Sequence, residues 1–246
     1  MTGSSRGIGR SIAEHMARAG ARVVISSRRT ESCEQVAQAI RDAGGEAIAV
    51  AANISKREQL FHLADHTIST WGGIDVLVCN AASNPYFGPM AGEGMTDEIF
   101  DKVMHNNVLN NLRLINRVAP SMKARGGGAI IIISSVGGLR GDGLLGIYNM
   151  SKAADMQLAR NLAIEWGHAN IRANAIAPGL IKTDFARALW TNPELAARLE
   201  QVTPLGRIGD PDDIGPLAVM LASRAGAFIT GQTLVADGGL TAVAAW

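Results

Sequence analysis

Short, continuously apolar runs alternate along this chain with longer stretches whose apolar residues recur at helical spacing. Continuous apolar character is typical of strands in a parallel sheet, because helices cover both faces of such a sheet. The apolar runs fall at 22–25, 47–50, 76–78, 130–133, 171–177 and 233–235. The helical stretches fall at about 8–19, 31–43, 55–71, 97–124, 148–168 and 211–222. This alternation predicts an α/β fold of the Rossmann type, a doubly wound parallel sheet with right-handed crossovers.

The composition favours a single globular domain over residues 1–246. Hydrophobic residues make up 47% and charged residues 18% of the chain, which excludes a disordered protein. The net charge of +1 argues against a nucleic-acid-binding surface. No apolar run reaches the roughly 18 residues of a membrane span. The two cysteines, Cys33 and Cys79, are too few for a disulfide framework and suit a reducing cytoplasm.

A glycine-rich segment, Thr2–Gly9, stands immediately before the first helical stretch. A helix N-terminus offers free N–H groups and the positive end of the helix dipole, which together bind phosphate. Gly3 would permit the tight turn, Gly7 would let the backbone approach a pyrophosphate, and Gly9 would let helix and strand pack closely. The spacing of these glycines predicts a dinucleotide site, with an ordinary glycine-rich turn as the alternative.

The turn after the second strand of such a fold selects the nucleotide. An acidic residue there would bind the ribose 2′-hydroxyl, but this chain has Ser26–Arg29. A guanidinium suits phosphate geometry, so Arg28, helped by Arg6, would pair with a 2′-phosphate. The sequence therefore favours NADP(H), with NAD(H) as the less favoured cofactor and a solvated basic turn as the structural alternative.

Tyr148 and Lys152 stand four residues apart at the start of a long helical stretch, which places them on one face. A free phenol has a pKa near ~10, and a neighbouring ammonium lowers that pKa. Ser134 and Ser135 end the tetra-isoleucine strand upstream, where a hydroxyl could hold a substrate carbonyl beside the phenol. A surface pair and a strand cap are the structural alternatives.

In this arrangement the chain resembles a short-chain dehydrogenase/reductase over nearly its whole length. The motifs that carry the resemblance are TGSSRGIG at 2–9, CNAA at 79–82, HNNV at 105–108, SS at 134–135, YNMSK at 148–152, APGLIKT at 177–183 and TGQTLVADGG at 230–239. They occur in the order that the family has them.

The resemblance implies a role for each catalytic residue. Tyr148 would donate the proton in ketone reduction, and Lys152 would lower its pKa and bind the nicotinamide ribose. Ser135, at the better-matching distance of the two serines, would orient the carbonyl. Asn107 would anchor a water that links Lys152 to bulk solvent, with Asn106 as the alternative in register.

The resemblance also implies the cofactor contacts. Asn53 stands where the family often has Asp near the adenine, and Thr183 would lie by the nicotinamide carboxamide. The complete predicted set is Gly3, Ser5, Arg6, Gly7, Ile8, Gly9, Arg28, Asn53, Ile54, Asn80, Ala81, Tyr148, Lys152, Pro178, Gly179, Ile181 and Thr183.

The segments 84–88, 179–185 and 189–190 resemble those of carbonyl reductases that use NADPH. Asp184 to about Thr203 is expected to form a mobile helical lid, and Arg140 to meet an anionic substrate group. The substrate would be a medium-sized hydrophobic ketone or aldehyde. The pocket candidates, with lid or core packing as the alternative, are Pro85, Tyr86, Leu139, Leu144, Leu145, Leu180, Phe185, Leu189 and Trp190.

Other functions remain open beside this carbonyl reductase or alcohol dehydrogenase. A 3-oxoacyl carrier-protein reductase belongs to the same class, and a non-catalytic dinucleotide-binding or scaffold protein to another. No metal is expected, since His62 and His66 lack the glutamate of an HExxH pattern and His105 fits a helix surface. Family resemblance implies a homotetramer. The segment 241–246 is no peroxisomal Ser-Lys-Leu address, so a bacterial-type cytoplasmic protein is expected.

The family places an apolar strand before the glycine-rich segment, in the middle of the sheet, whereas only Met1 precedes Thr2 here. We therefore expect a sheet that lacks most of its first central strand. Unpaired backbone groups on a buried strand edge cost about 1–3 kcal/mol each. The 246-residue chain alone is accordingly expected to be poorly soluble or to bind NADPH weakly.

Overall fold

The computed structural model describes residues 1–242, so residues 243–246 of the C-terminal segment lie outside the described part. The parallel strands are β1 (Arg22–Ile25), β2 (Glu46–Ala49), β3 (Val76–Cys79), β4 (Gly128–Ile133), β5 (Ile171–Pro178) and β6 (Thr233–Ala236). The helices are α1 (Gly7–Arg18), α2 (Thr30–Asp42), α3 (Arg57–Trp71), α4 (Asp97–Met104), α5 (Asn110–Ala124), α6 (Gly146–Trp166), α7 (Arg187–Trp190), α8 (Pro193–Val202) and α9 (Gly215–Ala222).

The strands confirm the predicted doubly wound α/β fold. β1 pairs with β2, and β3, β4, β5 and β6 pair in that order, all in parallel. The four isoleucines of β4 are buried because β4 lies inside the larger sheet with helices on both faces. One apolar core joins α1, α2 and α9 to the sheet, and a second joins α3, α5 and α6 to its other face.

The first four residues occupy the gap between β1 and β3 only at its carboxyl end. The Thr2 N–H donates to the Val78 carbonyl at 3.1 Å, and the Met1 amino group reaches the Val24 carbonyl at 3.5 Å. The remainder of the gap is a groove of about 440 Å³ lined by β1, β3 and helix residues such as Leu114 and Val118. Within residues 1–242, the expectation of a sheet without most of its first central strand is confirmed.

The predicted helix at 97–124 is present but has a π-turn at His105–Leu109 between α4 and α5. Such π-turns are frequent at functional sites because they redirect side chains inside a helix. The predicted helix at 211–222 begins as a 3₁₀ turn, Pro211–Asp213, before α9. Among the described residues, no helix has the length and apolar character that crossing a membrane requires.

Candidate active site

Thr2 and Gly3 begin the glycine-rich turn and are held by the end of β3. The Thr2 hydroxyl accepts hydrogen bonds from the N–H groups of Asn80 and Ala81 at 3.1 and 3.2 Å. The Asn80 side-chain amide donates to the carbonyls of Thr2 and Gly3 at 3.1 and 2.9 Å. Asn80 and Ala81 therefore hold the turn through hydrogen bonds. The same two residues are predicted to contact the cofactor.

A serine pair ties the same turn to the end of β1. The Ser4 N–H donates to the Ser26 carbonyl at 2.9 Å, and the Ser26 N–H donates to the Ser4 hydroxyl at 2.8 Å. Both serines are buried. Ser5 and Arg6 follow at the top of the turn, and α1 starts directly after them. The open N–H groups at the start of α1 thus face the carboxyl edge of the sheet.

The glycines of the turn are required by its geometry. Gly3 and Gly7 have φ values of +64° and +53°, which disfavour residues with a side chain. A Cβ at Gly9 would overlap the Gly3 carbonyl and the Asn80 amide. Ile8 packs against the apolar core formed by α1, α2 and α9, and this contact holds the start of α1 in place.

Arg28 and Arg6 lie at the predicted nucleotide end of the site. Arg28 is exposed in the turn that follows β1, on the same edge as the glycine-rich turn. Arg6 forms an exposed ion pair with Asp184, with Nη1 to Oδ2 at 3.2 Å. The structure therefore leaves Arg28 accessible and uses Arg6 to connect the glycine-rich turn to the segment after β5.

Asn53 lies beyond the end of β2, where an adenine contact was predicted. Its Oδ1 already accepts from the N–H and the hydroxyl of Ser55 at 3.0 and 2.9 Å. The contact of Asn53 with an adenine stays a prediction. The neighbouring Ile54 carbonyl accepts from the Asn110 side chain at 2.7 Å, which ties this loop to α5.

The segment after β5 closes over the glycine-rich turn. Pro178 ends β5, and the Gly179 N–H bonds to β6 at 2.9 Å. Ile181 is buried, and Thr183 caps a 3₁₀ turn through a 3.4 Å bond from the Ala186 N–H. A Cβ at Gly7 would lie 3.1 Å from the Thr183 methyl group. The two predicted cofactor segments are therefore in contact range of each other.

Tyr148, Lys152 and Ser135 come together at the carboxyl end of β4. Lys152 is buried, and its ammonium donates to the Ile133 carbonyl at 2.8 Å. The same Nζ lies 5.7 Å from the centre of the Tyr148 ring. The Ser134 hydroxyl instead donates to the Lys152 backbone carbonyl at 2.7 Å, so it joins β4 to α6. Ser135 is the serine that is hydrogen-bonded to the Tyr148 phenol.

The pKa of Tyr148 is raised above its ordinary value of 10.0. Burial disfavours the phenolate and is the largest cause, while the Lys152 ammonium and the Ser135 hydroxyl act in the opposite direction. The predicted effect of Lys152 is therefore present, but in the protein alone burial outweighs it. Tyr148 is accordingly protonated at neutral pH.

Asn107 lies in the π-turn, with its side chain fully buried. Its amide accepts from the Ser83 N–H at 2.8 Å and donates to the Ser83 carbonyl and the Ser151 hydroxyl, each at 3.0 Å. Asn106 donates only to the Ser83 hydroxyl at 3.0 Å. Asn107 is therefore the one of the two that links the loop after β3 to α6.

An apolar ring lies beside Tyr148. The Phe185 ring lies 5.8 Å from the Tyr148 ring, and Leu139 and Leu144 are about half exposed nearby in sequence. Trp190 is fixed by a 2.8 Å bond from its indole N–H to the Thr183 carbonyl. The segment 184–203 is helical as predicted, and its movement stays a prediction.

The other candidates form no competing centre. His62 and His66 face each other with ring centres 5.7 Å apart. Within residues 1–242, no three His, Cys, Asp or Glu side chains gather as a metal site would require. Burial raises the pKa of the Cys79 thiol to about 12, which removes it as a nucleophile at neutral pH.

Sequence reasoning missed two buried polar residues beside the predicted catalytic group, Asn111 and Asp155. The Asp155 carboxylate lies 2.9 Å from the Lys152 ammonium and 3.2 Å from the Asn111 amide. Their spacing from Asn107 and Lys152, four and three residues, is helical and was the available signal.

A parallel sheet with a glycine-rich turn and a Ser-Tyr-Lys cluster at one edge is typical of nucleotide-dependent oxidoreductases. A family model described as enoyl-(acyl carrier protein) reductase matches residues 3–241. Dehydrogenase/reductase SDR family member 4 from Sus scrofa is 38% identical over 97% of this chain and 85% of its own length. 7α-Hydroxysteroid dehydrogenase from Escherichia coli is 38% identical over 97% of this chain and 92% of its own length.

Solved structures agree. A 7α-hydroxysteroid dehydrogenase complexed with NADH and 7-oxo glycochenodeoxycholic acid superposes with a TM-score of 0.92, at 37% identity over 97% of this chain and 91% of its own. A gluconate 5-dehydrogenase from Burkholderia cenocepacia in complex with NADP and tartrate superposes with a TM-score of 0.93, at 34% identity over 99% of this chain and 94% of its own. The chain belongs to the short-chain dehydrogenase/reductase family and is a hydride-transfer oxidoreductase.

Proposed function

We propose that this protein is an NADP(H)-dependent reductase of a ketone or aldehyde, working also in reverse on the alcohol. The observation that supports it most is the meeting of Tyr148, Lys152 and Ser135 beside the glycine-rich turn. The cofactor would supply the hydride, and the protein would position the carbonyl and exchange the proton. Tyr148 would donate that proton, because its raised pKa keeps the phenol protonated at neutral pH.

The residues present fit a dinucleotide. Gly3, Gly7 and Gly9 leave room for phosphate at the N-terminus of α1, where a Cβ would fill the turn. Ser5, Arg6 and Ile8 would line that seat, and the other predicted contacts would hold the adenine and nicotinamide ends. Lys152 would bind the nicotinamide ribose.

The choice of NADP(H) rests on Arg28. Its guanidinium is exposed next to the turn, and the segment Ser26–Arg29 has no carboxylate that would accept from a ribose hydroxyl. Solved relatives carry either NADH or NADP, so the family alone leaves the choice open. A solvent-exposed guanidinium can form a bidentate pair with a 2′-phosphate.

The proposed substrate is a medium-sized hydrophobic carbonyl compound. The Phe185 ring lies beside Tyr148, and Leu139 and Leu144 expose apolar side chains in the segment between Ser135 and Tyr148. A relative, 7α-hydroxysteroid dehydrogenase, is complexed in its solved structure with NADH and 7-oxo glycochenodeoxycholic acid. Arg140 is exposed in the same stretch and would meet an anionic group of such a substrate.

The test is a substrate panel followed with NADPH and NADH. It includes hydrophobic ketones, aldehydes and a 3-oxoacyl thioester, because a 3-oxoacyl carrier-protein reductase is the alternative within the same class of enzyme. Tyr148→Phe tests the proton donor, because it removes the hydroxyl and keeps the ring. Turnover should fall by at least about 100-fold in this variant while NADPH binding persists. Turnover on the thioester alone would favour the 3-oxoacyl carrier-protein reductase. Unchanged turnover in Tyr148→Phe would refute the proton-donor role, and no turnover at all would favour a non-catalytic dinucleotide-binding protein.

We also propose that the chain is one domain that assembles as a homotetramer in the cytoplasm. Ile164 on α6 and Phe228 are almost fully exposed, which suits a covered interface. Cys33 and Cys79 are unpaired thiols, which suits a reducing compartment. Light scattering of the purified protein and of Ile164→Glu would test the assembly, and cell fractionation the location.

A further inference from the structure

Asp155 lies one helical turn after Lys152 on α6, and its side chain is inaccessible to solvent. One of its oxygens accepts from the Lys152 ammonium at 2.9 Å. A buried carboxylate is costly unless it is paired and hydrogen-bonded. Its retention beside the predicted catalytic lysine therefore points to a role in the site.

Asn111, on α5, binds the second oxygen of Asp155. Its amide nitrogen donates to Asp155 at 3.2 Å and to the Asn107 backbone carbonyl at 2.5 Å. Asn111 is itself buried. A continuous set of hydrogen bonds thus runs from the Asn107 carbonyl through Asn111 and Asp155 to the Lys152 ammonium.

These contacts are compatible with the water-mediated link that the family resemblance predicts. The Asn107 carbonyl accepts from Asn111 and has a second lone pair, and the Asn107 amide is used by Ser83 and Ser151. The Lys152 ammonium donates to two protein acceptors, the Ile133 carbonyl and the Asp155 carboxylate, and has a third N–H. The contact with Asp155 is therefore an addition to the predicted water link.

We propose that Asp155, held by Asn111, is a positioning residue that keeps the Lys152 ammonium charged and in place beside Tyr148. The proposal rests on the proposed function, since it gives Lys152 its part in proton transfer. The charge of Asp155 also stabilises the protonated forms of both Lys152 and Tyr148. The site thereby stays protonated, as carbonyl reduction requires, over a wider range of pH.

The ionisable groups facing Lys152 are few. Burial opposes the ammonium, but Asp155 and Tyr148 on α6 and Cys79 on β3 raise the net pKa of Lys152. Cys79 is neutral at working pH, and burial lowers the pKa of the nearby Met1 amino group to about 6. Asp155 is thus the one carboxylate of the described residues that acts on this lysine at close range.

The first experiment measures the ionisation of Lys152 directly, by carbon-13 NMR of lysine Cε against pH. The chain has five lysines, and Lys152→Met assigns the signal. Asp155→Asn keeps the shape and removes the charge, so the pKa of Lys152 should fall by about 1–3 units. Asp65→Asn, which breaks the exposed ion pair with Arg117, is the matched control and should leave that signal unchanged.

The second experiment follows carbonyl reduction with NADPH against pH. Removing a negative charge lowers the pKa of the Lys152–Tyr148 pair whichever group loses its proton first. The alkaline limb of kcat/KM should therefore move to lower pH by about one unit or more in Asp155→Asn. A residue that only supported the fold would lower activity evenly and leave the limb in place.

An unchanged pKa of Lys152 in Asp155→Asn would overturn the proposal. If that variant fails to fold, Asp155→Leu combined with Asn111→Leu replaces the polar pair by an apolar one, which cores tolerate. The same fall in the pKa of Lys152 is expected there, and its absence would count equally against the proposal. A parent enzyme without turnover would refute the proposed function, while the lysine titration would still decide the place of Asp155.

Discussion

The groove between β1 and β3 makes a sharp prediction about stability. An N-terminal extension of five apolar residues would run parallel to both strands and meet Met1 at the end of the groove. At about 3.3 Å per residue, such a strand matches the four-residue strands on either side. We expect it to insert and to rigidify the glycine-rich turn.

The expected gain follows from the two open edges. The inserted strand would form about six backbone hydrogen bonds, each worth about 0.5–1.5 kcal/mol net. Ordering five residues costs about 1–2 kcal/mol each, so these two contributions cancel to within a few kcal/mol. Burying about three side chains in the 440 Å³ groove then adds about 5 kcal/mol. For a chain of this size, that is a rise in Tm of about 10–20 °C.

Thermal unfolding by circular dichroism and calorimetric titration with NADPH would measure the effect. The extended chain should melt higher and bind NADPH more tightly than the 246-residue chain, which is expected to bind weakly. An extension of equal length with two prolines is the control, because proline cannot donate to a strand ladder. Tight NADPH binding by the unextended chain, or an equal gain with the proline extension, would refute the reasoning.

Three further predictions concern single residues. In Gly9→Ala the new Cβ would overlap the Gly3 carbonyl, so NADPH binding measured by calorimetry should weaken by about 5–150-fold. Gly141→Ala is the control, because a Cβ at Gly141 meets no other atom and binding should be unchanged. Arg28→Asp should shift preference toward NADH by about 10–100-fold, and an unchanged ratio of the two kcat/KM values would contradict the 2′-phosphate contact. Hydrogen bonds from Arg207 and the Asp210 N–H lower the pKa of Asp213 from 3.8 to about 2. The Asp213 carboxylate therefore stabilises the folded state fully above pH 3.8, and this stabilisation is lost as pH falls toward 2. Arg207→Gln should reduce this pH-dependent part of the free energy of unfolding by under about 1 kcal/mol, because the ion pair between Arg207 and Asp213 is exposed. Thermal unfolding followed against pH measures the difference.

The alternation of apolar runs and helical stretches was enough to predict the sheet. Strands such as β4 are buried on both faces, so their pattern is unambiguous, and each predicted strand has a counterpart in the structure. The π-turn at 105–109 was not predicted, because its residues continue the helical pattern on either side. A change of one residue in hydrogen-bond register leaves no periodic trace in so short a segment.

The site was predicted where a local motif specifies it and missed where distant residues meet. Spacing placed Tyr148 and Lys152 on one face of a helix, whereas Asn107 was predicted from the family motif HNNV at 105–108. The net pKa of Tyr148 depends on burial, which requires the three-dimensional packing of α6 against β4, and that is why its rise was not foreseen.

Asp155 shows why the remaining part needed the structure. From sequence it is one acidic residue on a long helix, where most carboxylates face water. Its burial follows from α6 packing against the π-turn at 105–109, and the start of α5 brings Asn111 to one carboxylate oxygen while Lys152 takes the other. A carboxylate in that position is stable only because both neighbours donate to it, and each neighbour is fixed in turn by Asn107 or Ile133. Loss of either donor would leave a buried charge uncompensated, so the three side chains of Asp155, Asn111 and Lys152 act as one unit and their substitutions should be strongly non-additive.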